Sequence, residues 1–151
     1  MITIESPDAL RELTGRELAV TDWLVVTQER INQFADATGD HQWIHIDRAR
    51  AERESPYKTT IAHGFLTLSL TSWFIRQAIE FRGLRMAVNY GLNKVRFPSA
   101  VPSGARVRAR IALVSVKELA DSVEATWLVT IETEGSGKPA CVAEWIARYY
   151  R

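Results

Sequence analysis

The sequence predicts an α+β fold in which one long apolar helix is wrapped by an antiparallel sheet. Residues 64–81 are apolar almost all round at helical length, so other structure has to enclose that helix. Residues 107–113, 123–131 and 143–149 alternate with period two, the mark of strands with one packed face. Short turns separate these runs. No repeat, linker or low-complexity segment interrupts the 151 residues, so a single domain is expected over 1–151.

The elements follow in chain order. Ser6-Pro7-Asp8 marks a short first helix, with Ser6 as its cap and Pro7 in its first turn, stopped near Gly15. Residues 20–26 are apolar enough for a first strand. Thr27 caps a second helix over 28–37, whose Ile31, Phe34, Ala35 and Thr38 share one face, and Gly39 sits where a left-handed stop is expected. Residues 39–60 hold two histidines, Asp40 and a charged run with one or two turns of exposed helix at 48–53. That segment is too polar for core and should lie on the surface or line a cleft. After the long helix, residues 86–97 form a strand ended by Pro98, and Pro102-Ser103-Gly104 forms a turn.

Composition narrows the function. Hydrophobic residues make up 46% and charged residues 25%, and 19 basic against 18 acidic side chains leave a formal net charge of +1. No field of either sign exists to recruit nucleic acid or a membrane surface. The charge-free run 61–75 is interrupted by polar residues and falls short of the ~20 residues that span a bilayer. The N-terminus carries Glu5 and Asp8 where a signal peptide would be basic, and the one cysteine, Cys141, permits no internal disulfide; a cytoplasmic location is expected.

Two motifs could carry chemistry. In Gly39-Asp40-His41-Gln42-Trp43-Ile44-His45, a carboxylate and an imidazole lie close enough for one loop to bring both to one water. Such a pair can take a proton from the water and return one to a neighbouring carbon. Spacing leaves open the alternative that Asp40 caps a turn and His45 is a satisfied loop histidine. In Ala62-His63-Gly64-Phe65-Leu66, free N–H groups at a helix start can polarise a carbonyl oxygen, or Gly64 can serve a tight turn alone. His63 could be a second base or a packed histidine, and Ser72 a small core residue. Trp43 is a large apolar side chain in a polar loop, fit for the wall or lid of a pocket around Phe65 and Ser72, or for simple core packing. There is no metal-ligand spacing, no G-x-S-x-G elbow and no phosphate loop.

Together the two motifs resemble the MaoC-like family of (R)-specific enoyl-CoA hydratases and dehydratases, whose signature joins G-D-x-N-P-[apolar]-H to a downstream A-H-G-[FM]-L. Gly39-Asp40, Ile44 and His45 match the first part, and Ala62-His63-Gly64-Phe65-Leu66 the second. Arg96-Phe97-Pro98 and Val101-Pro102-Ser103-Gly104 look like the family's strand-and-turn region. Gln42 and Trp43 stand in place of Asn and Pro, which is closer to the NodN-like branch. The resemblance implies a single hot-dog domain that dimerises by joining sheets. It implies Asp40 and His45 as the groups that activate water, and the Gly64 N–H as the donor to the thioester carbonyl. His63, Ser72 and Trp43 then line the substrate site. The resemblance further implies an acyl-CoA or acyl-carrier thioester as substrate, with no need for a metal or redox cofactor. The competing functions are a non-catalytic acyl-thioester binder or dehydratase partner subunit, and a hot-dog thioesterase. The latter needs a carboxylate on the long helix, where only Glu80, at its far end, is available.

Overall fold

The computed structural model describes the chain from Met1 to Arg151. Its largest element is an antiparallel sheet with strand order β2-β6-β7-β8-β5, formed by β2 (Arg16–Val20), β5 (Met86–Arg96), β6 (Arg106–Glu118), β7 (Ser122–Thr133) and β8 (Pro139–Tyr150). β3 (Leu24–Val25) also pairs with β6. The period-two runs become its two faces. Val107, Ala109, Ile111 and Leu113 on β6 are fully buried, as are Val123, Ala125, Trp127, Val129 and Ile131 on β7. Their alternates turn outward into cross-strand ion pairs, Arg108 with Glu132 and Arg148 with Glu124, each at 2.8 Å. At the surface such pairs contribute about 0–1 kcal/mol each, so the apolar face carries the stability.

The inner face packs on helix α4 (Gly64–Ala78), which presents Leu66, Leu70, Phe74 and Ala78 to it. This is the α+β architecture expected, a helix against an antiparallel sheet. The enclosure is one-sided, however. Phe65 is 70% exposed, and Trp73 and Arg76 are exposed on the same open side. The helix also stops earlier than expected. Ile79–Phe81 is a strand, β4, parallel to β1 (Ile2–Ile4), and Phe81 stacks on Tyr149 with ring centroids 4.6 Å apart. Three residues are too few to reveal a change of period, and the β-branched Ile2-Thr3-Ile4 supplies the partner that decides it.

The N-terminal half differs in three further places. Pro7–Leu13 is a 3-10 helix, and Ser6 makes no side-chain cap bond. The strand expected at 20–26 is split into the end of β2 and β3, because Thr21 leaves the ladder. Its N–H donates to the Ala109 carbonyl and its hydroxyl accepts from the Ala109 N–H, both at 2.9 Å. The 39–60 segment contains a one-turn helix, α2 (Trp43–Ile46), before α3 (Arg48–Glu54), and several of its polar residues are buried. Helix α1 (Gln28–Thr38) ends where Gly39, at φ 76°, was expected to end it. No helix is long and apolar enough to cross a membrane.

Candidate active site

Four segments converge beside the N-terminus of α4. Helix α1 is fixed at its start by Thr27, whose hydroxyl accepts from the Arg30 N–H at 3.2 Å. The left-handed turn at Gly39 then swings the chain so that Asp40 leaves the helix axis. Its carboxylate is half exposed and accepts a bond from the Gln42 N–H at 3.3 Å. Helix α2 supplies His45, which is 7% exposed. The His45 Nδ1–H donates to the Ile61 carbonyl at 2.7 Å. That partner can only accept, so the proton belongs on Nδ1 and the Nε2 lone pair is free.

His63, 2% exposed, closes the group. Its Nε2–H donates to the main-chain carbonyl of Asp40 at 2.9 Å, and its ring stacks on that of His45 with centroids 3.8 Å apart. Donor atoms of Asp40, His45 and His63 lie within 4.8 Å of one another. Residues 23 positions apart in sequence thus form one cluster. The cluster suits proton transfer better than cation binding. The two imidazole planes are only 24° apart, so their in-plane lone pairs run side by side rather than meeting at one point. One nitrogen of each ring is already bonded to a carbonyl.

Gly64 follows His63 and opens α4. No side chain caps this helix, and its first backward bond in the main chain is from Thr67 to His63, at 3.1 Å. The N–H groups before Thr67 therefore have no partner within the helix. A Cβ at Gly64 would stand 3.2–3.3 Å from the Phe97 ring, a close approach that a larger residue could make only if that ring gave by a few tenths of an ångström.

The remaining expected residues divide. Ser72 lines a groove between α4 and the β5–β8 strand pair. The groove consists of two adjoining cavities of about 280 and 400 Å³ that share Ser72, Asn89 and Trp145. Trp43 does not reach this groove. It is half-buried at the start of α2, with the Arg50 guanidinium 4.4 Å above its ring, and so packs against α3. Phe65 likewise faces outward, edge-on to Phe97. His63 is not placed to touch a substrate oxygen: one nitrogen holds Asp40, and Nδ1 is buried without a partner. Sequence reasoning missed Gln28. Its Nε2 donates to the His45 carbonyl at 2.7 Å while its Oε1 accepts from the Thr60 hydroxyl at 2.5 Å, which ties α1 to both site segments. As the first residue of a capped helix it gives no sign of this in the sequence.

The electrostatics favour a neutral His45. Burial is the largest cause holding its pKa below the ordinary imidazole value. The Ile61 carbonyl pulls it back up, charge on His63 lowers it further, and Asp40 raises it. The unfolded chain therefore takes up a proton at His45 before the folded chain does. Native stability from this group is complete above about pH 6.5 and is lost as the pH falls from there through the folded-state value. Melting temperatures measured from about pH 7.5 to about pH 5.5 should fall more for the wild type than for His45→Gln; equal losses would contradict the assignment.

The description "MaoC like domain" fits residues 10–134 of the chain. The chain belongs to the MaoC-like domain family. It is 53% identical over 150 residues to 3-hydroxyacyl-thioester dehydratase Z of Mycobacterium tuberculosis, covering 99% of each chain. It is 46% identical over 137 residues to nodulation protein N of Rhizobium meliloti, covering 89% of this chain and 85% of that one. In fold it is similar to a monoamine oxidase regulatory protein from Archaeoglobus, with TM-score 0.80, 21% identity and coverage of 99% and 97%. It is also similar to R-hydratase PhaJ1 of Pseudomonas aeruginosa, with TM-score 0.73, 21% identity and coverage of 91% and 82%. This family member is an enzyme of the hydratase and dehydratase class.

Proposed function

We propose that the chain adds water across the double bond of a trans-2-enoyl thioester to give the (3R)-hydroxyacyl thioester, and runs the dehydration in reverse. The observation that carries this reading is the juxtaposition of the Asp40 carboxylate with the His45 imidazole, whose Nε2 the Ile61 bond leaves free, beside a helix start with free N–H groups. A water between the two side chains gives a proton to the pair as its oxygen bonds to C3. The electron pair of the double bond moves toward the thioester oxygen, to which the Gly64 N–H donates a hydrogen bond that stabilises the growing charge. The pair then returns a proton to C2, so the net change is one added water. The related dehydratase Z acts, by its name, on 3-hydroxyacyl thioesters, the product side of this reaction.

The groove past Ser72 is the natural place for the acyl chain, since it runs along α4 away from Gly64 and most residues lining its larger cavity are hydrophobic. The thioester's other half is CoA or an acyl carrier. A thioesterase reading is weaker, because α4 carries no carboxylate at all and Glu80 lies beyond it on β4, bonded to Thr3. A non-catalytic binder would have no use for an oriented base beside a carboxylate. The test is incubation with crotonyl-CoA and a longer trans-2-enoyl-CoA, followed by chiral analysis. The (3R) product is expected, and the (3S) product or no product would refute the reading.

The functional unit is proposed to be a homodimer. β5 leaves its outer edge unpaired and exposes Val88, Tyr90 and Leu92, an arrangement that monomers have to protect. A second copy pairing at β5 would cover these residues and wall in the groove. Sedimentation at micromolar concentration should give the dimer mass, with Val88→Lys shifting it toward monomer; a wild-type monomer would refute this.

A further inference from the structure

His63 is more deeply buried than His45, and it takes no part in the proton transfer proposed above. Its surroundings show what it does instead. Nε2–H holds the main-chain carbonyl of Asp40 at 2.9 Å, the ring stacks on that of His45 at 3.8 Å, and the Phe34 ring of α1 packs tilted against it at 5.0 Å. The next residue is Gly64, which opens α4. One side chain therefore touches the loop that carries the carboxylate and the ring that carries the base, and its own backbone leads into the proposed carbonyl donor.

The choice of histidine has a cost that packing alone does not explain. Nδ1 is buried and has no hydrogen-bond partner, and leaving a ring nitrogen unsatisfied destabilises a fold. A phenyl ring would fill the space and stack on His45 without that penalty. Only the Nε2–H donor requires imidazole. Without it, nothing else in the structure bonds the Asp40 carbonyl, and Asp40 itself is held by two long contacts, from its N–H to the Thr38 hydroxyl at 3.4 Å and from the Gln42 N–H to its carboxylate at 3.3 Å.

We infer that His63 is a positioning residue: through one hydrogen bond and one ring stack it sets the Asp40 carboxylate and the His45 imidazole at the spacing a shared water requires. This rests on the hydratase reading for its kinetic consequences, but not for its structural ones. A misplacement of about 1 Å at a reacting centre costs on the order of a hundredfold in rate. His63→Phe, which keeps ring and volume but loses the donor, should therefore lower kcat roughly 10- to 100-fold with KM little changed. His63→Gln, which can offer an N–H at the position of Nε2, should recover most of that loss.

A double-mutant cycle and an amide-exchange measurement test this together. In an Asp40→Asn background the carboxylate no longer acts, so His63→Phe should cost less than about threefold there, because groups acting as a unit are non-additive. Exchange of the Asp40 and Gln42 amides should quicken by about tenfold or more in His63→Phe as the loop opens, and return toward wild type in His63→Gln. Full kcat in His63→Phe, a rise in KM with kcat unchanged, an equal loss in the Asp40→Asn background, or unchanged amide exchange would each overturn the inference. If the wild type shows no hydratase activity, the hydratase reading fails by itself, and the exchange measurement still decides whether His63 holds the loop.

Discussion

Asp40→Asn and His45→Gln are each expected to lower hydration turnover by at least about a hundredfold, the lower bound for a positioned acid–base group. The two substitutions should part in stability. Asparagine keeps the shape of Asp40 and its oxygen still accepts the Gln42 N–H, so a half-exposed site should change by no more than about 0.5 kcal/mol. His45 is buried, and its Nδ1–H is the donor to the Ile61 carbonyl. Glutamine cannot reproduce that bond while filling the ring's place, and an orphaned carbonyl costs about 1–3 kcal/mol. Thermal melting separates the two effects from turnover. Full activity in either folded variant would remove the proposed mechanism and favour a non-catalytic thioester binder.

The second large effect concerns Gly64. Proline is tolerated at the first position of a helix, and His63, at φ −59° and ψ 138°, already has the extended backbone that a following proline requires. Gly64→Pro therefore removes the N–H and keeps α4. Losing one such donor costs on the order of a hundred- to a thousandfold in turnover. Proline also adds carbon against Phe97, so Gly64→Ala is the control. It adds the same Cβ, 3.2–3.3 Å from the ring, but keeps the donor. Alanine should lose less than about tenfold if Phe97 yields by a few tenths of an ångström, leaving the difference between the variants as the contribution of the N–H. Equal losses in both would mean that packing at Phe97, rather than the donor, governs the rate.

The parts of the fold that the sequence made legible are those where one residue type answers to one physical demand. β6, β7 and β8 read correctly because a half-buried sheet imposes period two on every residue. The caps of α1 read correctly, with its end one residue beyond the expected 37, because Thr27 and Gly39 each do a local job that few residues can do. Short pieces were illegible: α2 is one turn and β4 three residues, and neither completes a period. Thr21 broke a strand through a hydroxyl that propensity does not register.

The candidate site divides in the same way. Asp40, His45 and Gly64 were visible through motif and chemistry. The burial of His45 was not, since a polar, charged segment reads as surface until Gln28, Thr60 and Ile61 are seen to satisfy it. The sequence left Trp43 open between pocket wall and packing, because an aromatic residue in a polar loop looks the same in both; in the fold it lies under Arg50.

The central claim is that Asp40 and His45 act as one unit on one water. Steady-state turnover of a trans-2-enoyl-CoA by Asp40→Asn, His45→Gln and the combined variant tests it most directly. If the claim holds, the combined variant is slower than the worse single variant by no more than about threefold, because the first loss already removes the shared step. Losses that multiply, so that two hundredfold effects give about ten-thousandfold together, would show two independent contributions and contradict it.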